Sequence, residues 1–321
     1  MQHRMTMLWS SLLVLGIFLT GCASSPDSGG AQDFSNRTIN VVATTSMIAD
    51  LVDIVGGDRV DVQGLMGPGV DPHLYKASEG DVARMAGADV IFYNGLHLEG
   101  KMTEVFEQMA GRNIPTIAVA EGGVPDSLQR ESALFTGNFD PHVWFDVTLW
   151  SSVAQYVADE LARMDSTHAT TYEANVQAYL QELEALNAYV RRRAKEVPVE
   201  QRVLVTSHDA FGYFGRAYDF EVRGLQGIST ATEAGTADVQ ELAEEVARRH
   251  IPAMFVESSV SPRGIEAVRE AVRARGFEVA IGGTLYGDAL GPADTPEGAY
   301  LGMVRHNIDT IVDALRPESD S

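Results

Sequence analysis

The chain has 321 residues, 45% of them hydrophobic, a formal net charge of −21 and a single cysteine. So acidic a chain argues against nucleic-acid capture, which needs a basic surface, and one cysteine excludes a disulfide framework. The length suffices for two domains with cores of their own.

The chain opens with a short polar stretch containing Arg4, an apolar run from Leu12 to Leu19, and then small residues. That run is too short to span a bilayer and has the size of a signal-peptide core, so residues 1–21 are expected to be a signal peptide. Leu19-Thr20-Gly21-Cys22 resembles the bacterial lipobox, in which the cysteine after the cut carries lipid, and Cys22 is the expected lipidation site. Residues 22–37, the cysteine and the Gly/Ser-rich ASSPDSGGAQDFSNR, read as an anchor and flexible tether.

From Thr38 short β-branched runs alternate with amphipathic ones. Strands are expected at 38–45, 60–66, 88–95 and 114–120, with helices at 47–57, 78–87 (Ser78 as N-cap) and 99–111 between them. This alternation predicts parallel βαβ units, and the continuous apolar runs suit strands covered on both faces. A helix near 147–164 follows. Residues 169–197 then run for 29 positions without Gly or Pro. There Tyr172, Val176, Tyr179, Leu180, Leu183, Leu186 and Val190 form one stripe at helical spacing, and Arg191, Arg192, Arg193 and Lys195 sit where the helix dipole favours cations. A helix of that length reaches about 43 Å, more than a compact α/β unit needs. Beyond Pro198 strands at 202–207, 220–226, 251–258 and 277–283 alternate with helices from Asp209, at 236–250, 261–276 and 297–316.

The expected architecture is therefore α/β, with two lobes, each a parallel β-sheet flanked by helices, joined by one long rigid helix. The expected boundaries are an N-terminal lobe at 38–167, a linking helix at 168–197 and a C-terminal lobe at 198–321. An unbroken linker predicts small shifts between lobes rather than wide hinge closure.

The tripeptide Asp-Pro-His occurs twice, in VDPHLY (70–75) and FDPHVWFD (139–146). Ligands of open α/β sheets bind beyond the carboxyl ends of the strands. His73, His97, His142 and His208 all follow expected strands, whereas His168, His250 and His306 fall on helices or their ends. Proline stiffens the backbone that enters each motif histidine, so two imidazoles are preset for a metal ion. Asp71 and Asp140 are candidates to orient those imidazoles, in competition with plain turn formation. A carboxylate from the second lobe is expected to complete the set, and Asp209, Glu257 and Asp288 all follow strands; spacing does not choose among them.

The segments VVATTSMIADLVDIVGGDRV, LMGPGVDPHLYKAS, FYNGLHLEGKM, FDPHVWFDV, VLVTSHDAFGYFGRAYDFEVRGLQGIST, FVESSVSP and IGGTLYGDALG closely resemble cluster A-I metal-binding lipoproteins of bacterial ABC importers. The likeness covers about 38–315 and is strongest with TroA-type zinc/manganese-binding proteins. It implies His73, His142, His208 and Asp288 as metal ligands, Glu257 as a group behind them and His97 outside the set; Asp209, next to His208, remains a candidate supporting group. Many zinc-specific members carry a His- and Asp-rich loop between the first two ligand histidines, but residues 121–140 contain no histidine. Manganese-specific members commonly have a glutamate where this chain has His208. Three imidazoles and a carboxylate suit zinc, while a bidentate Asp288 also admits manganese.

The expected function is an extracytoplasmic, lipid-anchored binding protein. It captures Zn²⁺ and/or Mn²⁺ as cargo between the lobes and delivers it to a membrane permease coupled to a cytoplasmic ATPase. A monomer is expected, on the periplasmic or outer face of a bacterial membrane and without nucleic-acid partners. A zinc-dependent hydrolase and a surface adhesin are the alternatives. No H-E-x-x-H, G-x-S-x-G, Walker A or G-x-G-x-x-G motif supports enzymatic machinery.

Overall fold

The computed structural model describes residues 33–131 and 139–316. The expected signal peptide, Cys22 and most of the expected tether lie outside them. The described chain starts within one compact unit that runs from Asp33 to the C-terminus.

Its first half alternates as the pattern demands: β1 (Ile39–Ala43), α1 (Ser46–Gly56), β2 (Val60–Gly64), α2 (Glu79–Ala86), β3 (Val90–Tyr93), α3 (Thr103–Ala110), β4 (Thr116–Ala118) and the short α4 (Val119–Gly123). The four strands form one parallel sheet in the order β2-β1-β3-β4. Ser78 caps α2 through a full capping box, its hydroxyl accepting from Asp81 N while Asp81 accepts from Ser78 N. Two long helices follow, α5 (Val147–Met164) and α6 (Ala169–Ala194).

The second half comprises β5 (Val203–His208), α7 (Gly212–Tyr218), β6 (Glu221–Gln226), α8 (Thr236–Arg249), β7 (Ala253–Glu257), α9 (Arg263–Arg273), β8 (Ala280–Leu285) and α10 (Tyr300–Leu315). Its strands pair in parallel as β5-β6 and β7-β8. The last strand begins three residues later than FEVAIGG suggests. Pairing jumps from Met254–Ile281 to Phe255–Gly283, so Gly282 is an extra, bulged residue. A side chain there would meet the Phe255 ring at 2.6 Å, which explains why glycines continue a strand instead of ending it.

Strand periodicity sets where the cores lie. Ile39, Val41, Ala43, Val90 and Phe92 point into the largest core, while Val42 and Ile91 point the other way into a smaller cluster with Met102, Phe106 and Met109. In the second half Leu204 and Phe255 join the large core, and Val203, Val205 and Met254 pack with Val246 and Val268. The large core is shared: it continues from Met47 and Leu51 of α1 through Val176, Leu183 and Val190 of α6 to Ile308 and Ile311 of α10. The spine α6 is 26 residues long, about 39 Å. It buries Tyr172, Val176, Tyr179, Leu183, Leu186 and Val190, ends in Arg191, Arg192 and Arg193, and stops before Val197-Pro198, a dipeptide hostile to helix. Apolar contact along the whole spine ties both halves to one rod.

Candidate metal centre

Four side chains converge beyond the strand ends. His73 lies on the loop between β2 and α2, and His142 precedes the turn Val143–Phe145 that leads into α5. His208 is the last residue of β5, and Asp288 stands three residues past β8. All four are buried, His142 and His208 completely. One donor atom from each lies within 4.8 Å of all the others.

The spacings have a chemical meaning. Nε2 of His142 is 3.3 Å from Nε2 of His73 and 3.4 Å from Nε2 of His208. Asp288 Oδ1 is 3.4 Å from His142 Nε2, and its Oδ2 is 3.3 Å from His208 Nε2 and 3.9 Å from His73 Nε2. Donors on a regular tetrahedron at ~2.05 Å from a zinc ion stand ~3.3 Å apart. Both oxygens of Asp288 are buried and neither accepts a properly formed hydrogen bond among the described residues. A fully buried carboxylate without well-formed hydrogen bonds calls for compensating positive charge, which a bound cation or protonated imidazoles can supply. The cluster thus fits one small divalent ion, with the paired oxygens able to raise the coordination number above four.

Both copies of Asp-Pro-His make the same turn. Asp71 Oδ1 accepts the backbone N–H of His73 at 2.8 Å, and Asp140 Oδ1 accepts that of His142 at 3.0 Å. In each case a short side chain bonds the amide two residues on, and the intervening proline fixes the path. The second oxygens go elsewhere. Asp71 Oδ2 accepts from the Thr230 hydroxyl at 2.6 Å, and Asp140 Oδ2 accepts from Arg130 Nη1 at 2.5 Å. Asp140 Oδ1 also contacts His142 Nδ1 at 2.7 Å, leaving Nε2 for the cluster. Glu257, the last residue of β7, does the equivalent for His208: Oε1 accepts His208 N at 2.9 Å and Oε2 lies 2.8 Å from Nδ1, off the axis of a good hydrogen bond. Asp209 instead faces Arg130 at 3.6 Å.

The electrostatics divide the histidines. Burial pushes His73 down to about 3, so it is neutral near pH 7. Burial also disfavours charge on His142, but Asp140 and Asp288 outweigh it and raise that imidazole to about 9. His208 is likewise raised, against its burial, by Glu257 and Asp288. Asp288 is held well below the usual carboxylate range, against its own burial, by His208 and His142. Without a metal, protons on His142 and His208 offset part of the negative charge of the buried carboxylates around them.

Several supporting residues carry no motif. Glu99 is buried, accepting from Thr44 Oγ1 at 2.7 Å, Asn94 N at 2.8 Å and Gly95 N at 3.2 Å. It stabilises a turn in which Gly95, Leu96 and His97 all have positive φ, a strained run for the last two. The same turn aims Asn94 Nδ2 at the Pro141 carbonyl, 3.0 Å away inside the second Asp-Pro-His. The Asn94-Gly95 dipeptide is a legible turn signal; the role of Glu99 is not. His97 itself is exposed on this turn and stays outside the cluster. Trp144 donates to Gly287 O at 3.0 Å, and the motif aspartates are reached by Arg130, 10 positions from Asp140, and by Thr230, 159 positions from Asp71.

The family model described as zinc-uptake complex component A, periplasmic (ZnuA) matches residues 41–314. The zinc-binding protein TroA of Treponema pallidum (strain Nichols) is 55% identical over 275 residues, 86% of this chain and 88% of that protein. The manganese-binding lipoprotein MntA of Bacillus subtilis (strain 168) is 44% identical over 312 residues, 96% and 99% of the two chains. The solved structure of the periplasmic zinc-binding protein TroA from Treponema pallidum superposes with a TM-score of 0.84 at 52% identity, covering 87% of this chain and all of that one. With most of its length matched, including all four clustered residues, the chain belongs to the ZnuA family of periplasmic zinc-uptake components.

Proposed function

We propose that the protein is the extracytoplasmic substrate-binding lipoprotein of a bacterial ABC importer, holding one Zn²⁺ or Mn²⁺ ion through His73, His142, His208 and Asp288. The observation that carries this reading is the Asp288 carboxylate, with both oxygens buried and lacking well-formed donors, facing three imidazole Nε2 atoms at 3.3–3.9 Å. The names of the relatives support the cargo: one is a zinc-binding protein and another a manganese-binding lipoprotein. Zinc is favoured in a direct competition, because three imidazoles and near-tetrahedral spacing suit it and it generally outcompetes manganese at such sites.

In this reading Cys22 carries the lipid, residues 23–37 are the tether, and the lobes 38–167 and 198–321 share the spine 168–197. Asp71, Asp140 and Glu257 orient the histidines, and Asp209 acts through Arg130. The ion passes as a monomer's cargo to a permease driven by a cytoplasmic ATPase. Four protein donors fill a tetrahedral zinc shell and leave no open position for an activated water, so the site serves holding rather than hydrolysis. Capture and release need only loosening of the donor set, consistent with a core continuous across both halves.

The test is metal content and titration of the soluble chain from Ala23, stripped with chelator and titrated with zinc and manganese beside His208→Ala. One tightly held ion per chain, weakened at least a hundredfold by the substitution, is the expected result. No stoichiometric binding, or binding indifferent to His208, overturns the reading.

A further inference from the structure

The segment between β6 and α8, residues 227–235, is anchored in an unusual way. Ser229, Ala231, Thr232 and Glu233 are exposed, but Thr230 between them is only 5% exposed. Its hydroxyl donates to Asp71 Oδ2 at 2.6 Å, within the range of a charge-assisted O–H···O⁻ bond. The other oxygen of that carboxylate holds the backbone N–H of His73. One carboxylate therefore joins a residue of the second half to the turn that presents an imidazole of the first.

The position of this link matters because of what lies beside it. A cavity of about 720 Å³ opens next to the cluster, and among the four clustered residues only His73 lines it. One wall is the segment that Thr230 pins down, with Gly227, Ile228, Ser229 and Ala231 on the cavity, and His97 lies on the lining as well. His142, His208 and Asp288 do not line it and are completely or almost completely buried. His73 is thus the clustered residue at which this cavity meets the ligand set, and the pinned wall stands beside it.

We propose that Thr230 is a positioning residue that controls the rate of metal exchange: its bond to Asp71 clamps segment 227–235 against the His73 turn and closes the route between the cavity and the ligand cluster. The inference rests on the metal-binding reading above. It assigns Thr230 no contact with the ion. Breaking the clamp opens the route in both directions, so association and dissociation accelerate together and the equilibrium constant moves less than either rate.

The experiment measures zinc dissociation by stopped-flow transfer to an excess of chelator, and association by stopped-flow mixing, for wild type, Thr230→Val, Thr230→Ala and Thr230→Ser. Valine keeps the volume and removes the donor, and serine restores the donor without the methyl group. Loss of one charge-assisted bond is expected to speed dissociation on the order of tenfold in the valine and alanine variants. Serine is expected to return it to within about twofold of wild type, since the donor is what the clamp uses. Thermal melting of the metal-free variants shows which are folded, and alanine decides the matter should valine not fold.

Wild-type dissociation in valine or alanine, or a serine variant as fast as valine, overturns the clamp. So does weaker binding that arises from slower association. Absence of stoichiometric zinc in the wild type sinks the binding reading itself and is seen before any variant is compared.

Discussion

Trp144 and Gly287 are joined by one hydrogen bond, indole Nε1 to carbonyl oxygen at 3.0 Å, across 143 positions of sequence. Trp144 stands two residues after His142, and Gly287 immediately precedes Asp288. The bond therefore fixes the distance between two of the clustered donors from opposite halves. Tyr300 secures it from behind by donating its hydroxyl to Trp144 O at 2.7 Å, and the Trp144 ring packs edge-on to the His142 imidazole at 5.2 Å between centroids.

Trp144→Phe keeps most of the ring and removes the donor. The buried Gly287 carbonyl is left unpaired at a cost of about 1–3 kcal/mol. Part of that loss falls on the placement of Asp288, and zinc affinity is expected to drop roughly tenfold, equivalent to ~1.4 kcal/mol. Chelator competition reads the affinity and melting of the metal-free protein reads the stability. Unchanged affinity with lowered stability would show that the bond holds the halves together without placing Asp288.

How much of this was legible in the sequence follows from what each feature depends on. Strand and helix alternation, the Ser78 cap and the stripe along α6 are local patterns and appear in the expected order, although the strand expected at 114–120 shortens to Thr116–Ala118 before α4 and Leu180 is only half-buried. The duplicated Asp-Pro-His marked two of the four convergent residues because its turn chemistry is written in three consecutive residues. The choice of Asp288 over Glu257 and Asp209 needed the family resemblance, since all three lie at or just past strand ends and only the path beyond β8 brings Asp288 among the imidazoles. Thr230, Arg130 and Glu99 were invisible for a related reason. Each acts through a partner between 5 and 159 positions away, and nothing in its immediate neighbours differs from an ordinary loop or helix entry. The strand expected at 277–283 lies at Ala280–Leu285, because a bulge at Gly282 carries the pairing past the glycines where the local apolar pattern stops.

The charge pattern of the cluster predicts a pH dependence of known sign. In the metal-free protein His142 is raised to about 9 and His208 is raised as well, so near pH 7 both hold protons that a cation must displace. Raising the pH removes these competitors, and affinity should strengthen by up to about tenfold per pH unit for each proton displaced. The gain continues as pH rises toward about 9, where His142 gives up its proton. His73, neutral throughout this range, adds nothing. Stability of the metal-free protein runs oppositely: a histidine raised on folding stabilises fully below its unfolded value near 6.5 and loses that contribution as pH climbs through about 9. Dissociation constants and metal-free melting temperatures at pH 6.5, 7.5 and 8.5 should therefore both fall. A flat affinity profile over that range contradicts the protonated site.

A half-buried carboxylate lies where α1 meets the second half. Asp50 Oδ2 accepts from Tyr300 N at 3.0 Å, one turn along α1 from Ser46, whose hydroxyl oxygen accepts from Leu290 N at 2.8 Å. Burial raises Asp50 to about 6, with the Tyr300 N–H opposing and the nearby Asp53 adding to the rise. Its ordinary value is 3.8, so the fold disfavours the ionised form. Well below its ordinary value of 3.8 the group is neutral in folded and unfolded chains alike and has no effect; as pH rises from there toward 6 the unfolded chain ionises first and stability is lost, and above 6 the loss is complete. Two pKa units correspond to about 3 kcal/mol as an upper bound. Asp50→Asn keeps an oxygen for the Tyr300 N–H and removes the charge, so it should stabilise the metal-free protein by roughly 1–3 kcal/mol at pH 7.5 and by much less at pH 4. Urea unfolding at the two pH values measures the difference. Equal or lower stability of the variant at pH 7.5 would mean that the ionised carboxylate is a better partner for Tyr300 than its burial allows, and that the contact between α1 and α10 is held by charge after all.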